Sequence, residues 1–149
     1  MLGRILVGSG FHARPSVALT DLGVEVQKTI KHICDNNEGI EIPQYVIMPN
    51  HVHMIIALDN AAGHDGKDAA GYAGGNAVGH GNPTLQDVVG RIKSYTAKRW
   101  CDMGGMKHQT FWQRSFHDRI IRDEAEYRRI WQYIDENPAR WTEDEYYGL

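Results

Sequence analysis

Tyr45-Val46-Ile47-Met48-Pro49-Asn50-His51-Val52-His53-Met54-Ile55-Ile56-Ala57-Leu58 is a β-type run, broken once by a proline and carrying two histidines two residues apart. In an extended strand successive side chains point to opposite faces, so His51 and His53 share one face while Val52 and Met54 take the other. Residues 55–58 form a nearly continuous apolar run, which predicts a strand buried on both faces in the centre of a sheet. Two imidazoles side by side on a rigid element suit a divalent ion, provided a third ligand arrives from elsewhere. Taken alone, a His-x-His pair reads as ordinary half-buried strand histidines.

Working outward, residues 2–7 read as a short strand, and Gly8-Ser9-Gly10 with Pro15 as loop. Thr20 is positioned to cap a helix running to Cys34, with Leu22, Val26, Ile30 and Ile33 at helical spacing. A strand over residues 40–48 then leads through Pro49-Asn50 into the histidine strand. From 59 to 82 the composition turns to Gly, Ala, Asp, Asn and His, which predicts a mobile insertion, with His64 and His80 as weak metal candidates. Thr84 followed by Asp87 is a capping-box signature for a helix with Leu85, Val88, Val89 and Ile92 on its apolar stripe. Residues 111–122 have aromatic and β-branched content, which predicts a strand. Asp123 is placed to cap a last helix with Tyr127, Ile130, Trp131 and Ile134 as its buried stripe, ended by Pro138. The order of elements predicts an α+β domain over 1–149, with an antiparallel sheet packed by helices in a ferredoxin-like arrangement.

At 149 residues the chain has room for one domain with a real core. No apolar run is long enough to span a bilayer and no secretory signal is read at the start, so no membrane partner and a cytoplasmic location are expected. The two cysteines, Cys34 and Cys101, are far apart and fit neither a disulfide framework nor a zinc knuckle. A formal net charge of −3 argues against nonspecific coating of nucleic acid. The positive charge is nevertheless clustered, in Arg91, Lys93, Lys98 and Arg99 and again in Arg114, Arg119, Arg122, Arg128 and Arg129. Arg91, Lys93, Lys98, Arg99, Arg114 and Arg122 are therefore the candidate phosphate contacts, against the alternative of solvated helix or strand faces.

Three segments carry a family resemblance. Pro49-Asn50-His51-Val52-His53 with the aliphatic run after it resembles the His-hydrophobic-His (HUH) motif of the single-tyrosine transposases, which include the REP-associated tyrosine transposases. Trp131-Gln132-Tyr133-Ile134-Asp135-Glu136-Asn137-Pro138 is similar to that family's nucleophile helix and its closing Asn-Pro. Phe111-Trp112-Gln113-Arg114-Ser115-Phe116-His117-Asp118-Arg119-Ile120-Ile121-Arg122 resembles the segment between them. Order and spacing agree, and the resemblance spans residues 40–58 and 84–141.

It implies the ferredoxin-like HUH fold and a metal-dependent DNA transposase, a single-strand endonuclease-ligase that forms a 5′-phosphotyrosine intermediate. Carried over residue by residue, Tyr133 is the nucleophile, and His51, His53 and Asn137 hold Mg²⁺ or Mn²⁺. Tyr95 and Tyr127 are the rival nucleophiles. The implied partner is single-stranded or hairpin DNA, with monomer and homodimer both open. The family also places a central strand ahead of the segment that residues 2–20 match; the expected sheet lacks it unless residues 2–7 stand in. Two further readings stand beside it: a DNA-binding module left catalytically dead by the missing strand, and a small α+β interaction protein without enzymatic activity in which the histidines merely pack.

Overall fold

A computed structural model describes residues 1–6, 15–59, 83–105 and 111–143. In chain order the elements are β1 (Gly3–Leu6), β2 (Ser16–Leu19), α1 (Asp21–Asn36), β3 (Ile40–Ile47), β4 (Val52–Leu58), α2 (Leu85–Asp102) and α3 (Glu124–Glu136), followed by a 3-10 helix, Asn137–Glu143. The class is α+β. The strands form two antiparallel pairs, β1 with β2 and β3 with β4. The expected mobile insertion lies outside the described residues except for Asp59, as do His64, His80 and residues 7–14.

Thr20 caps α1 as its sequence predicts, its Oγ1 accepting from the Gly23 amide, and the stripe Leu22, Val26, Ile30 and Ile33 is buried. The same hydroxyl reaches the Leu2 carbonyl, and the Thr20 amide donates to it at 2.9 Å. This close approach requires glycine at 23, because a Cβ there would run into the Leu2 carbonyl oxygen. Gly39, at φ 78°, turns the chain from α1 into β3.

The β3–β4 hairpin pairs Ile40 with Leu58, Tyr45 with Met54, Val46 with His53 and Ile47 with Val52. Its register shifts between Glu41 and Gln44, where Pro43 has no amide hydrogen to give to the ladder. Alternation along β4 sends Val52, Met54, Ile56 and Leu58 toward the cluster of Ile30, Ile33, Val88 and Ile92 from α1 and α2. The opposite face, with His53 and Ile55, looks toward α3, which packs on β3 and β4. Helices thus cover both faces of a hairpin. This corrects the expectation of a central strand: among the described residues β4 pairs with β3 alone, and its apolar run serves two helix layers rather than two flanking strands.

Two boundaries also differ from the sequence reading. β2 pairs with β1 from Gly3↔Leu19 to Leu6↔Ser16 where only one short strand was expected. The predicted strand over 111–122 is absent: the segment is irregular and largely exposed and joins no ladder among the described residues. Its aromatic residues are anchors instead. Phe111 stacks on Trp100 at 5.9 Å, and Trp112 Nε1 donates to the Thr96 hydroxyl on α2 at 2.7 Å. The chain leaves this α2 anchorage and reaches Asp123, the cap of α3 on the other face of the hairpin, so it passes from one helix layer to the other. Thr84 and Asp87 close the expected capping box on α2, and these bonds hold the Asp87 carboxyl below the usual carboxylate range.

Candidate active site at the histidine pair

The β3–β4 turn sets the position of the first histidine. Leu2 donates its amide to the Pro49 carbonyl at 2.6 Å, and Met48, fully buried, donates to the His51 carbonyl at 2.9 Å. His51 therefore sits one residue ahead of β4 rather than within it, while His53 is the second residue of the strand. The shared face survives this: the two rings meet edge-on with centroids 4.6 Å apart. Both Nε2 atoms are buried. The Asn50 amide oxygen lies 2.9 Å from His51 Nδ1.

From the other side α3 contributes its tyrosine. Tyr133 stands beside the buried Ile134 and packs its ring edge-on against His53, with centroids 5.4 Å apart, while 45% of it remains exposed. One helical turn later Asn137 is buried, and its Oδ1 has no hydrogen-bond partner among the described residues. The 3-10 helix that follows carries Trp141 onto the outer side of His51, with ring centroids 5.8 Å apart. Residues some eighty positions apart in the chain therefore make one chain of ring contacts, Trp141 to His51 to His53 to Tyr133.

The chain is 31% identical to an uncharacterized protein of Haemophilus influenzae over 130 residues, 87% of this chain and 71% of that protein. It belongs to that protein's family. No family model and no solved structure matches it.

The rival tyrosines lie elsewhere. Tyr127 packs against Trp131 at 5.7 Å, and Tyr95 is 53% exposed on α2. Four of the six candidate phosphate contacts lie away from the histidines: Arg91, Lys93, Lys98 and Arg99 belong to α2, which is layered on α1 and faces the opposite side of the hairpin. Arg91 donates to Asn37 at 2.6 Å, and Lys93 donates to the Gln113 and Ser115 carbonyls, both at 2.9 Å. Arg99 pairs with Glu25 at 3.0 Å; Lys28 and Arg99 together hold the Glu25 carboxyl below its usual range. Lys98, Arg114 and Arg122 are exposed, and their side chains make no ion pair or hydrogen bond among the described residues. Arg119 and Arg129 converge on the buried carboxylate of Glu126, and Arg128 pairs with Glu124.

No group of three or more His, Cys, Asp or Glu side chains is placed to hold a metal among the described residues. The expected donor set differs from such a group, being two imidazoles and an amide. Nor is any described helix long and apolar enough to cross a membrane. The sequence reading missed Asn50 and Trp141. Asn50 had a signal, an amide directly before a histidine at a turn; Trp141 had none, because its position follows from the 3-10 continuation past Pro138.

Proposed function

We propose that this chain is a metal-dependent single-strand DNA endonuclease-ligase of the single-tyrosine HUH transposase type, with Tyr133 as its nucleophile. The observation that carries the reading is the packing of the Tyr133 ring against His53, itself in contact with His51. What supports the fold part of this reading is the α+β class, with antiparallel strand pairs packed by helices.

His51, His53 and Asn137 would hold Mg²⁺ or Mn²⁺. The hard donor of the kind these ions take is the buried Asn137 amide oxygen, which has no hydrogen-bond partner among the described residues to repay its desolvation, and both imidazole Nε2 atoms are buried. A divalent ion bound there supplies positive charge that polarises a phosphodiester and stabilises the charge developing on it.

The chain's own residues do the rest. A phenol is a weak nucleophile until it loses its proton, and Tyr133, 45% exposed, stands where that proton can pass to solvent. Its oxygen attacks phosphorus, the new bond joins tyrosine to the 5′ phosphate, and the bond from phosphorus to the 3′ oxygen breaks, leaving a 3′ hydroxyl. Attack by a 3′ hydroxyl on the phosphotyrosine reverses the step and joins strands. Lys98, Arg114 and Arg122, exposed and without ion pairs among the described residues, are the cations left for the DNA backbone, so binding should weaken steeply with salt.

The test is incubation with Mn²⁺ and labelled single-stranded DNA carrying a hairpin. A denaturation-resistant protein–DNA adduct is expected, lost in Tyr133→Phe and kept in Tyr95→Phe and Tyr127→Phe, because phenylalanine keeps the ring but cannot attack phosphorus. An adduct that survives Tyr133→Phe overturns the assignment of the nucleophile. DNA binding with no adduct in the wild type replaces the nuclease with a binding module.

A further inference from the structure

The contact between Asn50 and His51 does more than close a turn. The Asn50 Oδ1 is placed 2.9 Å from His51 Nδ1, and because an amide oxygen accepts, this orientation of the amide calls for the proton on Nδ1. A neutral imidazole protonated at Nδ1 has its lone pair on Nε2, the buried atom of the ring. Left to water, a neutral histidine side chain prefers the opposite arrangement, with the proton on Nε2. We infer that Asn50 is a positioning residue that holds His51 in the Nδ1–H tautomer and so presents Nε2 to a divalent cation. This rests on the reading in which His51 and His53 take up such an ion.

The surroundings make Asn50 suited to the task. Its backbone is fixed on both sides, by the Leu2–Pro49 and Met48–His51 hydrogen bonds, so the amide is delivered to the ring by the turn itself. Trp141, packed on His51 at 5.8 Å, limits how far the ring can swing. The Asn50 side chain is exposed and contributes nothing to the apolar core, so replacing it changes the tautomer without excavating the fold.

The experiment combines ring-nitrogen NMR with a Mn²⁺ titration of the full chain. In the metal-free wild type the His51 nitrogen shifts should report the proton on Nδ1; a proton on Nε2 overturns the inference without any variant. Asn50→Ala should lose that signature and bind Mn²⁺ about 10- to 100-fold more weakly, the usual cost of removing a residue that orients a ligating histidine. Asn50→Asp, which keeps an acceptor in place, should restore both. Wild-type Mn²⁺ affinity and an unchanged tautomer in Asn50→Ala would overturn the proposal. A wild type that binds no Mn²⁺ refutes the metal reading instead, and the tautomer measurement still decides the role of Asn50 separately.

Discussion

Two stretches of this chain have β-type composition and meet opposite fates. Residues 52–58 enter a ladder with β3 and become β4, whereas residues 111–122 stay irregular with no ladder among the described residues. Single-residue β-propensity does not separate them, since Ile120 and Ile121 are as β-prone as Ile55 and Ile56. Access to a partner does. β4 follows β3 through a short turn whose Met48 amide closes on the His51 carbonyl, so its edge is delivered to a neighbour. The other segment leaves α2 and must reach α3 across the hairpin, and Ile120 is 76% exposed along the way. One stretch is held by a ladder along its length, the other by a few tethers, to α2 at its start and to Glu126 of α3 at its end.

Substitutions should separate these two modes. The largest effect is expected at Ile55, buried on the α3 side of β4: Ile55→Ala should cost about 2–5 kcal/mol in urea unfolding, the range for emptying a packed aliphatic site. It should also perturb the contact between His53 and Tyr133, because β4 and α3 meet at that face. A loss under about 1 kcal/mol would mean that the hairpin is not shared by two helix layers. A smaller effect is expected at Trp112, the first tether. Trp112→Phe keeps a ring beside Phe111 but removes the donor to Thr96, at a cost of about 1 kcal/mol. A cost equal to that of Ile55→Ala would show that the segment is anchored as firmly as the strand.

The same contrast explains what was legible in the sequence. Helix starts were readable because Thr20, Thr84 and Asp123 act on amides two or three residues away, and each caps as its spacing predicts. The His51–His53 pair was readable for the same reason, since alternation is a local rule that tolerates His51 lying just outside the strand. Tyr133 and Asn137 could be placed on one helix face, but the meeting of Tyr133 with His53 depended on which face of the hairpin α3 would cover, and only the resemblance spoke to that. The fate of residues 111–122 was not readable, because it depends on where α2 and α3 sit rather than on the segment itself. β2 was hidden likewise: the four residues Ser16–Leu19 carry little signal until β1 is placed beside them. Lys93 and Arg99 looked like phosphate contacts because charge is visible in sequence, whereas the carbonyls and the carboxylate that engage them are distant along the chain.

The smallest global effect is expected at Lys93, and it sharpens the comparison most. Its ammonium donates to the Gln113 and Ser115 carbonyls and lies 5.5 Å from the centre of the Phe116 ring, so one side chain ties down the start of the crossing segment. Lys93→Met keeps most of the apolar stem and removes the three donors. Because these bonds are exposed, water replaces much of what is lost, and global stability should fall by only about 0.5–1 kcal/mol. The local consequence is larger: with two carbonyls released, amides after Trp112 should exchange hydrogen faster while those of β4 keep their protection, since local openings need not involve the whole fold. Hydrogen exchange read by mass spectrometry over residues 113–121 and 52–58 checks both halves at once. Faster exchange in both would mean that the crossing segment and the hairpin open as one unit, which would erase the distinction between a strand held by its ladder and a segment held by its tethers.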